Sequence, residues 1–254
     1  MEALRLKLLS IWVWAAASGI IVGNTFLTGL VWLLTSPFDP HRALAGRMFR
    51  VASHAVAGAH PSWTHKITGT LPPDVSHGYV IISNHESHAD SVLIAHLGFS
   101  ARWLAKEELL KIPFLGWMMR MAGDIPVRRG DKDSGKEAME VMAGHLRDGG
   151  SVVLFPEGTR STTGTLGAFK DGAFKLAIET QAPILPMVLT GCGNALPKGG
   201  WVLGKAHAFA RLHVLPPVFT HGLTLDDVES LRDRVRAQME EAHTRLVDEV
   251  RAHG

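Results

Sequence analysis

The pattern of apolar and polar positions divides the chain near residue 38. No charged residue occurs from Leu8 to Phe38, whereas Arg5 and Lys7 precede the run and Arg42, Arg47 and Arg50 follow it. One spanning helix needs roughly 20 apolar residues, so the run is long enough for that. The Gly23-Asn24 pair reads as a turn signal, dividing the run into two short helices, Lys7 to Val22 and Thr25 to Leu34. Basic residues at both ends favour placing both on the same, cytoplasmic side of a membrane. The expectation is a helical hairpin seated in one leaflet, with a single crossing as the alternative and Trp12, Trp14 and Trp32 at headgroup level. The run continues past Ala15 to Ser18 instead of ending at a cleavage site, which argues against a signal peptide.

After Pro37 the pattern changes to short β-rich runs alternating with helical ones. Strands are predicted at Tyr79 to Ser83, Arg102 to Ala105, Asp124 to Val127, Ser151 to Phe155, Ile184 to Leu189 and Ala208 to Val214. Helices are predicted at Ser87 to Leu97, Pro113 to Met121, Lys132 to Arg147, Gly172 to Thr180 and Leu225 to Ala252. Thr224-Leu-Asp-Asp227 opens the last helix as a capping signature, and Leu225, Val228, Leu231, Val235 and Met239 give it one apolar face for packing on the domain. Several strands are continuously apolar, the mark of a sheet covered on both faces. The predicted fold class is α/β, a mixed and largely buried sheet covered by helices, with residues 1–38 as a membrane-associating element and 39–254 as the α/β domain.

Composition narrows the function. With 26 Lys and Arg against 24 Asp and Glu, the formal charge of +2 does not suggest a nucleic-acid partner. The single cysteine, Cys192, excludes an intramolecular disulfide and supplies no metal cluster.

The candidate chemistry starts at Ser83-Asn-His-Glu-Ser-His-Ala-Asp90, which leaves a strand and enters a helix. α/β proteins commonly place reactive side chains at such junctions. Within one helix, His85 and Asp90 would lie about 140° apart around the axis, so bonding between them requires His85 to precede the first turn and fold back over it. Ser87 is a reasonable N-cap for that arrangement. A carboxylate on one imidazole nitrogen fixes the tautomer and leaves the other free as a general base. A structural histidine with a satisfied partner has the same signature.

A second cluster, Phe155-Pro-Glu-Gly-Thr-Arg-Ser161, follows another apolar strand. Pro156 and Gly158 shape its backbone, and Glu157, Thr159 and Arg160 could cradle a phosphate and a hydroxyl, because Arg grips phosphate through paired hydrogen bonds. A surface turn with an ion pair is the plainer reading. Gly123-Asp-Ile-Pro-Val-Arg-Arg129 presents Arg128 and Arg129, of which alternation along a strand would aim at most one at a site. Lys106, ending a strand, is a further phosphate candidate.

These blocks resemble the glycerolipid acyltransferases, specifically the bacterial 1-acyl-glycerol-3-phosphate acyltransferases. Asn84-His85 with Asp90 is similar to the family's His-x4-Asp motif, Gly123 to Arg129 to its second block, Phe155 to Ser161 to its third, and Pro183 to Val188 to its fourth. Ala105 to Leu109 followed by Pro113 also resembles the family. The resemblance covers roughly residues 80 to 190. It implies that His85 is the base and Asp90 its orienting partner. It further implies that Arg128 or Arg129, Lys106, Gly158 and Arg160 hold the glycerol phosphate, with Glu157 near the glycerol and Pro186 on the acyl or structural side. Glu86 departs from the pattern, since many relatives carry glutamine there, and a carboxylate beside His85 would alter its tuning.

The implied reaction transfers an acyl chain from acyl-CoA or acyl carrier protein to the sn-2 hydroxyl of lysophosphatidic acid at the cytoplasmic face of the membrane, giving phosphatidic acid. No cofactor or metal is expected. The alternatives are another lysolipid acceptor such as a lyso-ornithine lipid, a non-catalytic lipid-binding membrane protein, and a thioesterase. Other motifs carry less. Gly130 to Lys136 has P-loop spacing, but Glu137 stands where Ser or Thr would bind magnesium. His85-Glu-Ser-His88 misses the metalloprotease spacing by one residue, and no Gly-x-Ser-x-Gly elbow occurs.

Overall fold

The computed structural model describes residues 1–61, 63–161, 163–196, 201–204 and 207–253. The apolar run forms one helix, α1 (Glu2–Thr35), and this corrects the expected division at Gly23-Asn24. Asn24 sits in the helix interior because its amide has tertiary partners: Nδ2 donates to the carbonyls of Met48 and Phe49 at 3.3 and 3.4 Å. A hairpin does form, but its turn falls at residues 36–42 and its second arm is α2 (Ala43–Gly58), where Trp12 Nε1 donates to Ala59 O. Seven-residue steps place Ser10, Ala17 and Asn24, together with Thr25 and Thr28, on the buried stripe of α1. Large apolar side chains, among them Ile11, Trp12, Phe26, Leu30 and Leu33, are exposed. A helix of this length and hydropathy can cross a membrane. Small and polar residues inside with apolar residues outside is also the arrangement of a helix whose solvent is lipid.

The α/β domain contains one sheet of seven strands: β1 (Trp63–Gly69), β2 (Val80–Ser83), β3 (Arg102–Lys106), β4 (Ile125–Val127), β5 (Val152–Leu154), β6 (Ile184–Thr190) and β7 (Ala208–Val214). Their order is β1-β7-β6-β2-β5-β3-β4, with every pairing parallel except β6 with β7. Six of the seven were legible as apolar runs; β1, an edge strand with alternating exposure, was not. Helices α3 (Ala89–Ala95), α4 (Leu115–Ala122), α5 (Lys132–Arg147), α6 (Gly172–Thr180), α7 (Cys192–Ala195) and α8 (Val228–His253) complete the chain.

Alternation along the strands splits the core. Val80, Ile82, Val152, Leu154, Ile184 and Val188 face α5, α6 and α8, whereas Ile81, Val153, Leu185, Met187 and Leu189 face Leu93 and Ile94 of α3. Val228, Leu231, Val235 and Met239 are buried, so α8 is a packed helix, and Thr224 and Asp227 make the expected capping box. The P-loop-like segment is the start of α5, where the Asp131 carboxylate accepts from Ser134 N. Because β2, β3, β4, β5 and β6 run parallel, their C-terminal ends share one edge. Residues 84–90, Lys106, Arg128 and the segment after β5 all lie there.

Candidate active site

The segment 84–88 leaves β2 as irregular chain before α3 begins. His85 therefore stands ahead of the helix and Asp90 in its first turn, as their spacing requires. His85 Nδ1 lies 2.7 Å from Asp90 Oδ2. The same oxygen accepts the backbone N–H groups of Glu86 and Ser87 at 2.7 and 2.8 Å, so the carboxylate caps the loop that carries its own partner. Helix α3 starts two residues later than Ser87; the Ser87 hydroxyl accepts from Ala89 N and donates to Leu196 O, and His88 takes the cap position.

Complete burial pushes the Asp90 carboxyl above its usual 3.8, opposed by the bond from His85 and by Ser87 N. The Cys192 thiol, buried beside it, is raised well above 9.0, first by desolvation and then by the charges of Asp90 and Glu86. It stays protonated and presents a donor to Asp90. With Nδ1 held by Asp90, Nε2 of His85 has no partner among the described residues. Phe155 stacks on the imidazole at 4.0 Å between centroids and 14° between planes, fixing the ring's orientation from its face.

Glu157 has a part that its residue type did not disclose. Oε1 accepts from His85 N and Oε2 from Gly167 N, each at 2.9 Å. Ser161 N donates to His85 O at 2.7 Å. Both oxygens of Glu157 are thus engaged by backbone, and the loop after β5 is tied directly to the His85 loop. Burial raises its pKa, against the lowering effect of those two N–H groups. Asn84 makes the equivalent tie to β6, exchanging two bonds with the Leu189 backbone at 2.8 and 2.9 Å. Glu86 accepts from Gly191 N at 3.1 Å and lies 3.6 Å from His243 Nε2 of α8, so its carboxylate anchors the loop to α7 and α8.

The cationic candidates separate into two groups. Arg129 and Arg160 act on the same neighbour: His88 has its pKa lowered, first by desolvation and then by the charges of Arg160, His85 and Arg129. His88 itself is exposed. Arg128 instead bonds Asp131 at 3.0 Å and lines a cavity on the edge of β4. Lys106 ends β3 with its ammonium 3.3 Å from Glu108, and Thr159 is exposed. Gly158 adopts φ 68°, and a Cβ there would come within 2.7 Å of Lys170 Nζ. Lys170 is therefore a cation at the loop that the motifs did not indicate. Its only sequence signal is position, since its N–H closes the loop on Pro156 O.

This arrangement, a His-Asp pair at the C-terminal edge of a mostly parallel sheet with cations around its mouth, is suited to moving a proton off a hydroxyl beside an anionic group. An acyltransferase family profile matches residues 64–190, which include the His85 loop, the loop after β5 and β6. The chain belongs to the acyltransferase family. It is 40% identical over 191 residues to the 1-acyl-sn-glycerol-3-phosphate acyltransferase LPAT1 of Arabidopsis thaliana chloroplasts, covering 74% of this chain and 52% of that one. It is 38% identical over 175 residues to the human alpha form, covering 66% and 59%. The chain thus spans about half the length of these curated relatives. The crystal structure of the 1-acyl-sn-glycerophosphate acyltransferase from Thermotoga maritima superposes with a TM-score of 0.78 at 26% identity, covering 97% of this chain and 98% of that one.

Proposed function

We propose that this protein transfers an acyl chain from an acyl thioester, acyl-CoA or acyl carrier protein, to the sn-2 hydroxyl of 1-acyl-glycerol-3-phosphate, forming phosphatidic acid at the cytoplasmic face of a membrane. The observation that carries the chemistry is the 2.7 Å bond between His85 Nδ1 and Asp90, with Nε2 left for a reactant. His85 Nε2 takes the hydroxyl proton as the acceptor oxygen attacks the thioester carbonyl. Collapse of the tetrahedral intermediate breaks the carbon–sulfur bond, and the imidazolium returns its proton to the departing thiolate. Asp90 holds the imidazolium in register and offsets its charge. General-base assistance of this kind contributes roughly 10²- to 10⁴-fold, and positioning supplies much of the rest.

Arg129, Arg160 and Lys106 are assigned to the acceptor phosphate, joined by Lys170 over Gly158, while Arg128, held by Asp131, stands to the side. The names of the relatives favour lysophosphatidate as acceptor. Membrane seating rests on the apolar outer surface of α1, and residues 1–38 are assigned to it. His85→Ala should reduce acyl transfer by at least about 10²-fold in protein that still folds. Arg160→Ala should mainly raise the KM for lysophosphatidate and leave a phosphate-free monoacylglycerol unaffected. Turnover near wild type in folded His85→Ala would overturn the mechanism, and thioester hydrolysis without acceptor acylation would overturn the transferase reading.

A further inference from the structure

A second basic site lies away from the His85 cluster. A cavity of about 480 Å³ on the outer edge of β4 is lined by Arg42, Arg102, Arg120 and Arg128 together with Glu107 and Glu137. Arg128 and Glu107 have carboxylate and ammonium partners of their own, Asp131 and Lys111. Asp124, at the cavity wall, is taken by Arg50 at 2.6 Å. The remaining three arginines make no ion pair among the described residues. Arg42 and Arg102 donate only to backbone carbonyls, those of Arg120 and Pro40. Arg102 Nε is buried with no hydrogen-bond partner among the described residues.

The backbone is shaped around these guanidinium groups. Gly123, at φ 78°, faces both: a Cβ there would come within 2.9 Å of Arg102 Nε and 3.3 Å of Arg42 Cδ. Arg42 itself holds a left-handed backbone at φ 56°, a conformation that an ordinary residue keeps only where its surroundings enforce it. Among the charges acting on Arg102 that of Arg42 is the largest, ahead of the carboxylates of Asp124, Asp148 and Asp39, and its buried Nε has no acceptor among the described residues, so the cluster has a place for an anion. The cavity runs along the β4 edge from Arg102, which begins β3, to Glu107 and Arg128 beyond the ends of β3 and β4, and no residue of the His85 loop or of the Glu157 loop lines it.

Position identifies the anion. Arg42 belongs to the turn between α1 and α2, beside the exposed Phe38 and Leu44. Arg120 is on α4, where Trp117 is exposed, as is Ile112 just ahead of that helix. The arginines therefore lie where the apolar outer surface meets the soluble domain. We propose that this cavity binds the phosphate of an anionic bilayer phospholipid that is not undergoing reaction, and so orients the domain on the membrane. The proposal rests on the membrane seating of α1.

The test titrates full-length protein in neutral maltoside micelles with dioctanoyl phosphatidylglycerol and follows the melting temperature. The lipid should stabilise wild type saturably. Arg42→Gln and Arg120→Gln should each raise the half-saturating concentration about fivefold, the loss expected for one basic residue at an anionic surface. His85→Ala and the charge-matched Lys136→Gln should respond as wild type does. Equal responses in wild type and both arginine variants, or an equal loss in Lys136→Gln, would overturn the site. A larger arginine-dependent stabilisation by coenzyme A or inorganic phosphate would overturn the lipid as occupant. Flotation on neutral phosphatidylcholine vesicles tests the membrane seating separately, because its failure leaves the micelle titration readable.

Discussion

His85 and Asp90 were legible because their spacing permits only one bonded geometry, with the histidine ahead of the helix. Glu157 was not legible in the same way. Its motif suggested contact with glycerol, but its partners are backbone N–H groups 72 and 10 residues away, which no local pattern discloses. A carboxylate with both oxygens on backbone acts as a clamp between two loops, and the clamp fixes the height of His85 against Phe155. Glu157→Gln keeps the shape but replaces one acceptor with a donor, leaving a buried N–H unsatisfied at a cost of about 1–3 kcal/mol. A shift of His85 by a fraction of an ångström should lower kcat by up to about 10²-fold, with KM for lysophosphatidate little changed. A variant whose melting temperature falls while kcat holds would show that Glu157 supports the loops without positioning His85.

Most elements were legible where the apolar pattern was clear, as continuous runs in β2 and β6 and as three- and four-residue spacing in α8. Those missed were of low contrast. Helix α2 mixes alanine and glycine with Ser53 and His54, and β1 alternates exposed Thr64 and Lys66 with half-buried neighbours. Helix α1 shows the opposite failure, a strong signal misdivided. Gly23-Asn24 has the local chemistry of a turn, but bonds to the Met48 and Phe49 carbonyls make the helical conformation of Asn24 the satisfied one. The same packing exposes Phe26 and Leu30. Leu30→Asp should therefore leave activity in detergent near wild type and reduce flotation with phosphatidylcholine vesicles, since a central carboxylate costs roughly 2.5–3.5 kcal/mol of insertion. Unchanged flotation would mean that this face is not in lipid.

The whole molecule joins a helical hairpin to a sheet buried on both faces, and that burial makes its stability depend on pH. His145, in the last turn of α5, lies over Gly150, where its imidazole leaves no room for a Cβ, and 5.2 Å from the His41 ring. Its pKa is lowered to about 4, first by desolvation and then by the charges of Arg102 and His41. An unfolded histidine titrates near 6.5, so between these values the unfolded chain binds the proton and the native one does not. The stabilising difference is complete above pH 6.5 and is lost as pH falls toward 4, by up to about 3 kcal/mol. His60, His65 and His96 are lowered by burial as well, so acid destabilisation is collective. His145→Gln removes one titrating group without removing bulk. Its unfolding free energy, followed by urea titration in micelles from pH 7 to 4, should fall less steeply than that of wild type. Parallel curves would place the acid sensitivity in the other histidines and show that the His145 imidazole already accepts a proton in the native state.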